Sequence, residues 1–131
     1  MALEALARQA QDDSAEIYAF GTRAGAIDLD PIWDGLAKDA AQGVGHATMS
    51  WRFHAGLVQC FAARARALVD TGEAQAIALS GGCFQNALLL DLVMRALDGV
   101  PVLIHTKVPA NDGGLALGQA LIAAAAALPE R

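Results

Sequence analysis

Two cysteines in 131 residues are too few for a disulfide framework. They stand apart, Cys60 in a helical stretch and Cys83 in a glycine turn, which reads as free thiols in a reducing compartment. Positive charge is also scarce. Nine Lys and Arg against fourteen Asp and Glu leave a net charge of -5 and a pI near 4.9, so a general electrostatic grip on nucleic-acid phosphates is excluded. The longest apolar run, 120–128, is about half of the roughly 20 residues that a membrane-spanning helix needs. The opening MALEALARQAQDD has neither the basic end nor the apolar stretch of a signal peptide. The expectation is a soluble, cytoplasmic chain with neither a nucleic-acid nor a membrane partner. Any anionic ligand has to be held locally, by backbone amides, a metal or a few placed cations.

Apolar residues are plentiful, at 55% of the chain against 18% charged. That is enough apolar surface to offset chain entropy in one domain or a large piece of one. Apolar spacing predicts a short helix over 2–11, an alternating extended segment over 16–20 and a second extended piece over 26–29. Asp30 as N-cap and Pro31 at the first helical position open a helix to about residue 42. The longest helix is expected over 46–69, with Phe53, Leu57, Phe61, Ala65 and Leu68 on its inner seam and Met49 and Val58 beside them.

From residue 76 onward the pattern becomes β-loop-α-β-loop-α. Buried strands are expected over 76–79 and 101–106, helices over 85–97 and 115–128, the last an Ala-rich helix packed closely against its neighbours. Two apolar strands joined by one helix imply a parallel βαβ unit covered on both sheet faces, and an α/β fold class. Trp33 and Trp51 read as packing residues. So do His54, a hydrogen-bonded helix residue, and His105, inside a strand. His46 and His54 lie about 12 Å apart along one helix, too far to share a metal.

In parallel sheets ligands bind at the carboxyl ends of the strands. Two glycine-rich loops fall there, SGGCFQN (80–86) and PANDGG (109–114), each following a strand and opening a helix. Glycines let a ligand approach the backbone, and a helix N-terminus offers free amides, so the pair suits a nucleotide or phosphate. The glycine pairs read equally well as plain turns. They match neither the Walker A loop nor the dinucleotide fingerprint. Asp112, the one carboxylate in the two loops, is either a divalent-metal ligand or a helix cap, the cap being the commoner use. Cys83 could have an activated thiol, but no base is nominated beside it, and a small buried packing residue is the favoured reading.

The segments IALSGGCFQNALLL, VPANDGGLALGQA and WRFHAGLV, with the opening MALEALA, resemble the C-terminal end of the hydrogenase maturation carbamoyltransferases (HypF). The resemblance covers nearly the whole chain. It implies the C-terminal lobe of an actin/Hsp70-like (RNase H-like) ATPase domain, the second lobe of a Kae1-like carbamoyltransferase domain, with the preceding lobe and N-terminal domains absent. It implies ATP as a ligand and carbamoyl phosphate as the carbamoyl source for a carbamoyl adenylate. The carbamoyl group would pass to the C-terminal cysteine of HypE, as a source of cyanide ligands for nickel–iron hydrogenase.

Carried over by position, Ser80, Gly81, Gly82, Asn86, Asn111, Gly113 and Gly114 would lie at the nucleotide. Asp112 would bind a divalent metal (iron, zinc or magnesium), which reverses the cap reading. Cys83 stands where the family pattern calls for an aliphatic residue, and the family's HxxxH metal motif does not occur here. No complete turnover is therefore expected from this chain alone, and no catalytic residue is assigned. The alternatives are a stand-alone interaction module that self-associates through the long helix and Ala-rich tail, with merely structural glycine loops, and a relative of the tRNA threonylcarbamoyladenosine enzymes. The acidic charge and the form of the Asp loop disfavour the latter.

Overall fold

The computed structural model describes residues 2–10 and 16–127. Helix α1 (Ala2–Ala7) lies on the long helix α3 (His46–Asp70). Between them come an antiparallel hairpin, β1 (Gly21–Arg23) with β2 (Ala26–Asp28), and helix α2 (Asp30–Ala41). The second half is β3 (Ile77–Leu79), α4 (Ala87–Ala96), β4 (Val102–Ile104) and α5 (Leu115–Ala127). Strands β3 and β4 pair in parallel, Ile77 with Val102 and Leu79 with Ile104, so the βαβ unit forms as expected. No helix among the described residues is long and apolar enough to cross a membrane.

Local chemistry explains where the elements begin and end. The 16–20 segment is not a strand. The Tyr18 amide donates to the Arg52 carbonyl of α3 (3.3 Å), so its backbone serves a helix rather than a sheet partner. The strand begins at Gly21 instead, and the turn at Ala24 and Gly25 has φ of 51° and 82°, the left-handed pair that matches hairpin twist. Asp30 is not the N-cap of α2. Leu29 holds that position without a side-chain cap, and Asp28 Oδ1 accepts the Asp30 amide at 3.1 Å. Gln11 and Leu128, the expected ends of the first and last helices, lie outside the described residues.

The core joins one face of the β3–β4 pair to α3 and α4 through Val58, Ala62, Leu89, Val93 and Leu97. The buried stripe of α3 is Ser50, His54, Val58 and Ala62, spaced by four. The expected seam sits to one side of it: Leu57 and Ala65 are half-buried, while Phe61 and Leu68 face solvent. Trp33 is also exposed, and Trp51 is half-buried. The other sheet face is open, contrary to the two-sided cover expected, with Leu103 63% exposed. α5 carries no charge and is apolar all round, the pattern of a helix buried on every side. None of its residues is buried: among the described residues its main packing is on the turn that precedes it.

Tyr18 joins the first half together. Its ring lies against Gly35 of α2, where an added Cβ would meet the ring at 2.8 Å, and its carbonyl oxygen fills the space a Cβ at Gly56 of α3 would need. Its hydroxyl donates to Asp39 Oδ2 (2.7 Å), and Arg52 donates to both Asp39 oxygens (3.0 and 2.9 Å). The Tyr18 hydroxyl draws the Asp39 carboxyl below its ordinary 3.8; burial opposes this and Arg52 reinforces it. Burial, then Asp39, holds the Tyr18 phenol above its ordinary 10.0.

Two predictions follow from the packing and from the charges. Leu97, 2% exposed, should cost about 2–5 kcal/mol on truncation to Ala. Leu121→Glu, at a position 63% exposed, should stay within about 0.5 kcal/mol of the parent. Equal losses in thermal melts would contradict the open α5. For Asp39, the depressed folded pKa means its stabilisation is whole above the unfolded carboxylate value of about 3.9 and is lost as pH falls through the lower folded value. Melting temperature should drop below about pH 4, and Asp39→Asn should flatten that acid limb while lowering stability at pH 7.

Candidate functional site

The carboxyl ends of β3 and β4 bring the two glycine loops side by side. Ser80 and His105 follow the last register pair, and Ser80 Oγ lies 2.9 Å from His105 Nε2. His105 is thus exposed and hydrogen-bonded at the sheet edge rather than packed in a strand, because β4 stops at Ile104. Gly81 has φ 104° and ψ 155°, a conformation closed to L side chains. Its amide donates to the Ala110 carbonyl at 2.8 Å, which ties one loop to the other. Residues Gly82–Gln85 make a single 3₁₀ turn before α4. That turn explains why the helix starts at Ala87 and not at 85.

The glycines differ in what they do. A Cβ at Gly113 would meet Asn111 Oδ1 at 2.9 Å, and one at Gly114 would meet Val108 Cγ1 at 2.9 Å and the Pro109 carbonyl at 3.0 Å. Those two keep a tight turn clear. A Cβ at Gly82 would meet only Asn111 Cβ, at 3.8 Å, so Gly82 leaves its exposed backbone open without any internal need to do so. Asn111 Oδ1 accepts the Gly113 amide at 3.0 Å and so caps the Asp112–Gly114 turn. The cap role weighed for Asp112 as its alternative is supplied by Asn111, and the Asp112 carboxylate is exposed. Cys83 is exposed too, not buried, since it sits on the outer side of the 3₁₀ turn.

Asn86 behaves differently from its neighbours. It is buried, its Oδ1 accepts the Leu89 amide (3.0 Å) as the N-cap of α4, and its Nδ2 donates to His54 Nε2 (2.8 Å). His54, 2% exposed, therefore carries its proton on Nδ1 and donates it to the Ser50 carbonyl (2.8 Å). The Ser50 hydroxyl donates to the Leu3 carbonyl at 2.6 Å. The Asn86 side chain is turned inward, under the loop, while Ser80, Gly81, Gly82 and Asn111 come together above it. Glu4 adds a second support, accepting the Leu88 amide at 3.2 Å and the Arg8 guanidinium at 3.0 Å. The Arg8 hydrogen bond, more than the Leu88 amide, holds the Glu4 carboxyl below its ordinary value. His54 is the hydrogen-bonded, packed helix residue expected, but sequence reading missed Ser50, Glu4 and the partnership of His54 with Asn86; the available signal was the polar pair Ser50 and His54 on an otherwise apolar four-residue stripe.

Metal chemistry finds little here. Among the described residues no three His, Cys, Asp or Glu side chains come together to hold an ion, and Asp112 is a single carboxylate. These residues do not by themselves fit a complete metal site. An apolar cavity of about 420 Å³ lies between α3, β3 and α4, bounded by Val58, Phe61, Leu79, Phe84 and Leu89. Its hydrocarbon lining suits side chains rather than phosphates.

A parallel βαβ unit on a long helix, with two linked glycine loops at its carboxyl edge, defines an α/β ligand-binding lobe. Residues 1–119 match the family described as "Carbamoyltransferase, Kae1-like Domain, second subdomain". The chain belongs to the HypF carbamoyltransferase family. It is 44% identical over 126 residues to carbamoyltransferase HypF of Rhodobacter capsulatus, covering 95% of this chain and 16% of that protein. It is 33% identical over 132 residues to a HypF homolog of Cupriavidus necator, covering 95% of this chain and 34% of that one. Full-length HypF in its phosphate- and nucleotide-bound form superposes with a TM-score of 0.75 at 32% identity, over 92% of this chain and 16% of the other. HypF of T. kodakarensis shares the fold, with a TM-score of 0.76 at 22% identity, again over 92% and 16%. The chain thus spans about a sixth to a third of the length of these relatives.

Substitutions separate support from site. Asn86→Ala removes a cap and leaves the buried His54 Nε2 without a donor, a loss of about 2–3 kcal/mol. Gly81→Ala should cost about 1–2 kcal/mol for its left-handed backbone. Gly82→Ala should be close to neutral, its Cβ making an ordinary 3.8 Å contact. Thermal melts of the three give this order, and a Gly82 variant as damaging as Asn86→Ala would contradict the geometry.

Proposed function

We propose that this chain is the nucleotide-facing part of a carbamoyltransferase, with ATP seated against Ser80, Gly81, Gly82, Asn111, Gly113 and Gly114. The observation that carries this reading is the 2.8 Å hydrogen bond from the Gly81 amide to the Ala110 carbonyl. It holds two glycine loops in one crevice at the carboxyl edge of a parallel pair, where such sheets take their ligands. The exposed backbone at Gly82 supports it, being a place where a glycine is not needed for packing. The likeness to a HypF described as phosphate- and nucleotide-bound, at 32% identity, points the same way. Asn86 acts from beneath the loop, by positioning it.

In the whole reaction we assign this chain a binding role. Asp112 provides one ligand for a divalent cation (iron, zinc or magnesium), and the remaining ligands come from polypeptide outside this chain, a preceding lobe of the same domain. Such an ion would neutralise phosphate charge. Carbamoyl phosphate would lose its phosphate to water, and the resulting carbamate would attack the α-phosphorus of ATP and expel pyrophosphate to give carbamoyl adenylate. The C-terminal cysteine of HypE would take the carbamoyl group with release of AMP, toward cyanide ligands of the nickel–iron hydrogenase. The open face of β3–β4 and the apolar α5 are where that further polypeptide packs.

Calorimetric titration of the 131-residue chain with ATP and Mg²⁺ tests this reading. Saturable binding is expected. It should be lost in Gly82→Asp, which puts a carboxylate at the phosphate position, and weakened in Asp112→Ala only when the cation is present. A folded chain that binds no ATP would overturn the nucleotide reading in favour of an association module built on α5.

A further inference from the structure

Ser80 and His105 make a polar pair, and neither the fold nor the proposed binding role accounts for His105. Each is the first residue past its strand, and the register that pairs Leu79 with Ile104 runs on into them. By strand alternation they share the face of Ala78 and Leu103, the open face of the sheet. Both are exposed, so their 2.9 Å hydrogen bond does little for stability. It lies at the lip of the crevice, directly before Gly81 and Gly82.

A phosphate at this lip has few donors to meet. The chain carries a net charge of -5. From residue 76 to 127 the basic side chains are Arg95, His105 and Lys107, and Arg95 is paired with Asp91 on α4 at 2.8 Å. The Gly81 amide is already committed to Ala110. The Ser80 hydroxyl has a single proton, and its direction depends on what else the oxygen binds. When His105 Nε2–H donates to Ser80 Oγ, the oxygen is occupied as an acceptor and its proton is turned outward, toward a phosphate oxygen.

We propose that His105 is a positioning residue for the nucleotide phosphates, acting through Ser80. The proposal deepens the nucleotide reading above and rests on it. Calorimetry of the 131-residue chain with ATP and Mg²⁺ tests it with four variants. His105→Phe and Ser80→Ala should each weaken ATP binding by about tenfold or more, the loss of one hydrogen bond to a charged group. The double variant should lose no more than either single one, and His105→Gln, whose amide can donate to Ser80, should recover most of the affinity. Melting temperatures should not move, since both residues are exposed. Wild-type affinity in His105→Phe would overturn the inference while leaving the nucleotide reading intact. Additive losses in the double variant would overturn action through Ser80. Absence of ATP binding by the wild-type chain would overturn both readings together.

Discussion

The hydrogen bond between Asn86 and His54 is the constraint on which the loop region depends. It is buried, so neither partner can turn to water if the other is lost, and the cost of an orphaned polar group keeps the pair closed. It also has only one consistent arrangement. Asn86 Oδ1 is committed to the Leu89 amide, so the Nδ2 group must donate to His54 Nε2, and the imidazole must carry its proton on Nδ1, facing Ser50. A line of hydrogen bonds therefore runs from α1 through α3 to the first turn of α4. Because Asn86 ends the glycine loop and starts the helix, that line fixes where the loop can lie.

Above that support the two loops are held largely by backbone, with the Asn111 side chain as a cap. Gly81 is needed for its dihedral angles, Gly113 and Gly114 for clearance, and Gly82 for neither. This division has a physical logic. A loop that presents its backbone to a ligand must be stiff without side chains crossing its mouth. The Gly81–Ala110 hydrogen bond and the Asn111 cap supply that stiffness from the edges. Tyr18 performs a comparable task in the first half, where two glycines on facing helices admit its ring and backbone and a buried carboxylate anchors its hydroxyl.

The uncovered surfaces belong to the same account. A three-residue parallel pair with one face on helices and the other open leaves apolar side chains in water, as does a chargeless helix none of whose described residues is buried. The chain spans 16% of a relative such as the R. capsulatus protein, and these open apolar faces are the ones proposed above as the packing surface for further polypeptide. The βαβ core nevertheless forms, because Val58, Ala62, Leu89, Val93 and Leu97 bury one another without help from the open side.

Element type was legible from local pattern. Apolar spacing of three and four, a short apolar run before SGG and another before the PANDGG loop depend on neighbouring residues, and the helices and parallel strands lie close to where that pattern puts them. The glycine loops were legible for the same reason, since a glycine pair between a strand and a helix is a local signal. Which face of α3 turns inward was not: Phe61 and Leu68 are as apolar as any core residue, and only the approach of α1 and α4 selects Ser50, His54, Val58 and Ala62. The end of the β4 strand, and with it the exposure of His105, likewise depended on how few strands lie beside it. Sequence by itself determined the order of the elements, the parallel unit and the two loops, because these rest on contacts close along the chain. Tertiary structure alone decided that Asn86 faces inward to His54, that Asn111 rather than Asp112 caps its turn, and that Ser80 meets His105, because each of these is set by backbone geometry or by a partner brought close only when the chain folds.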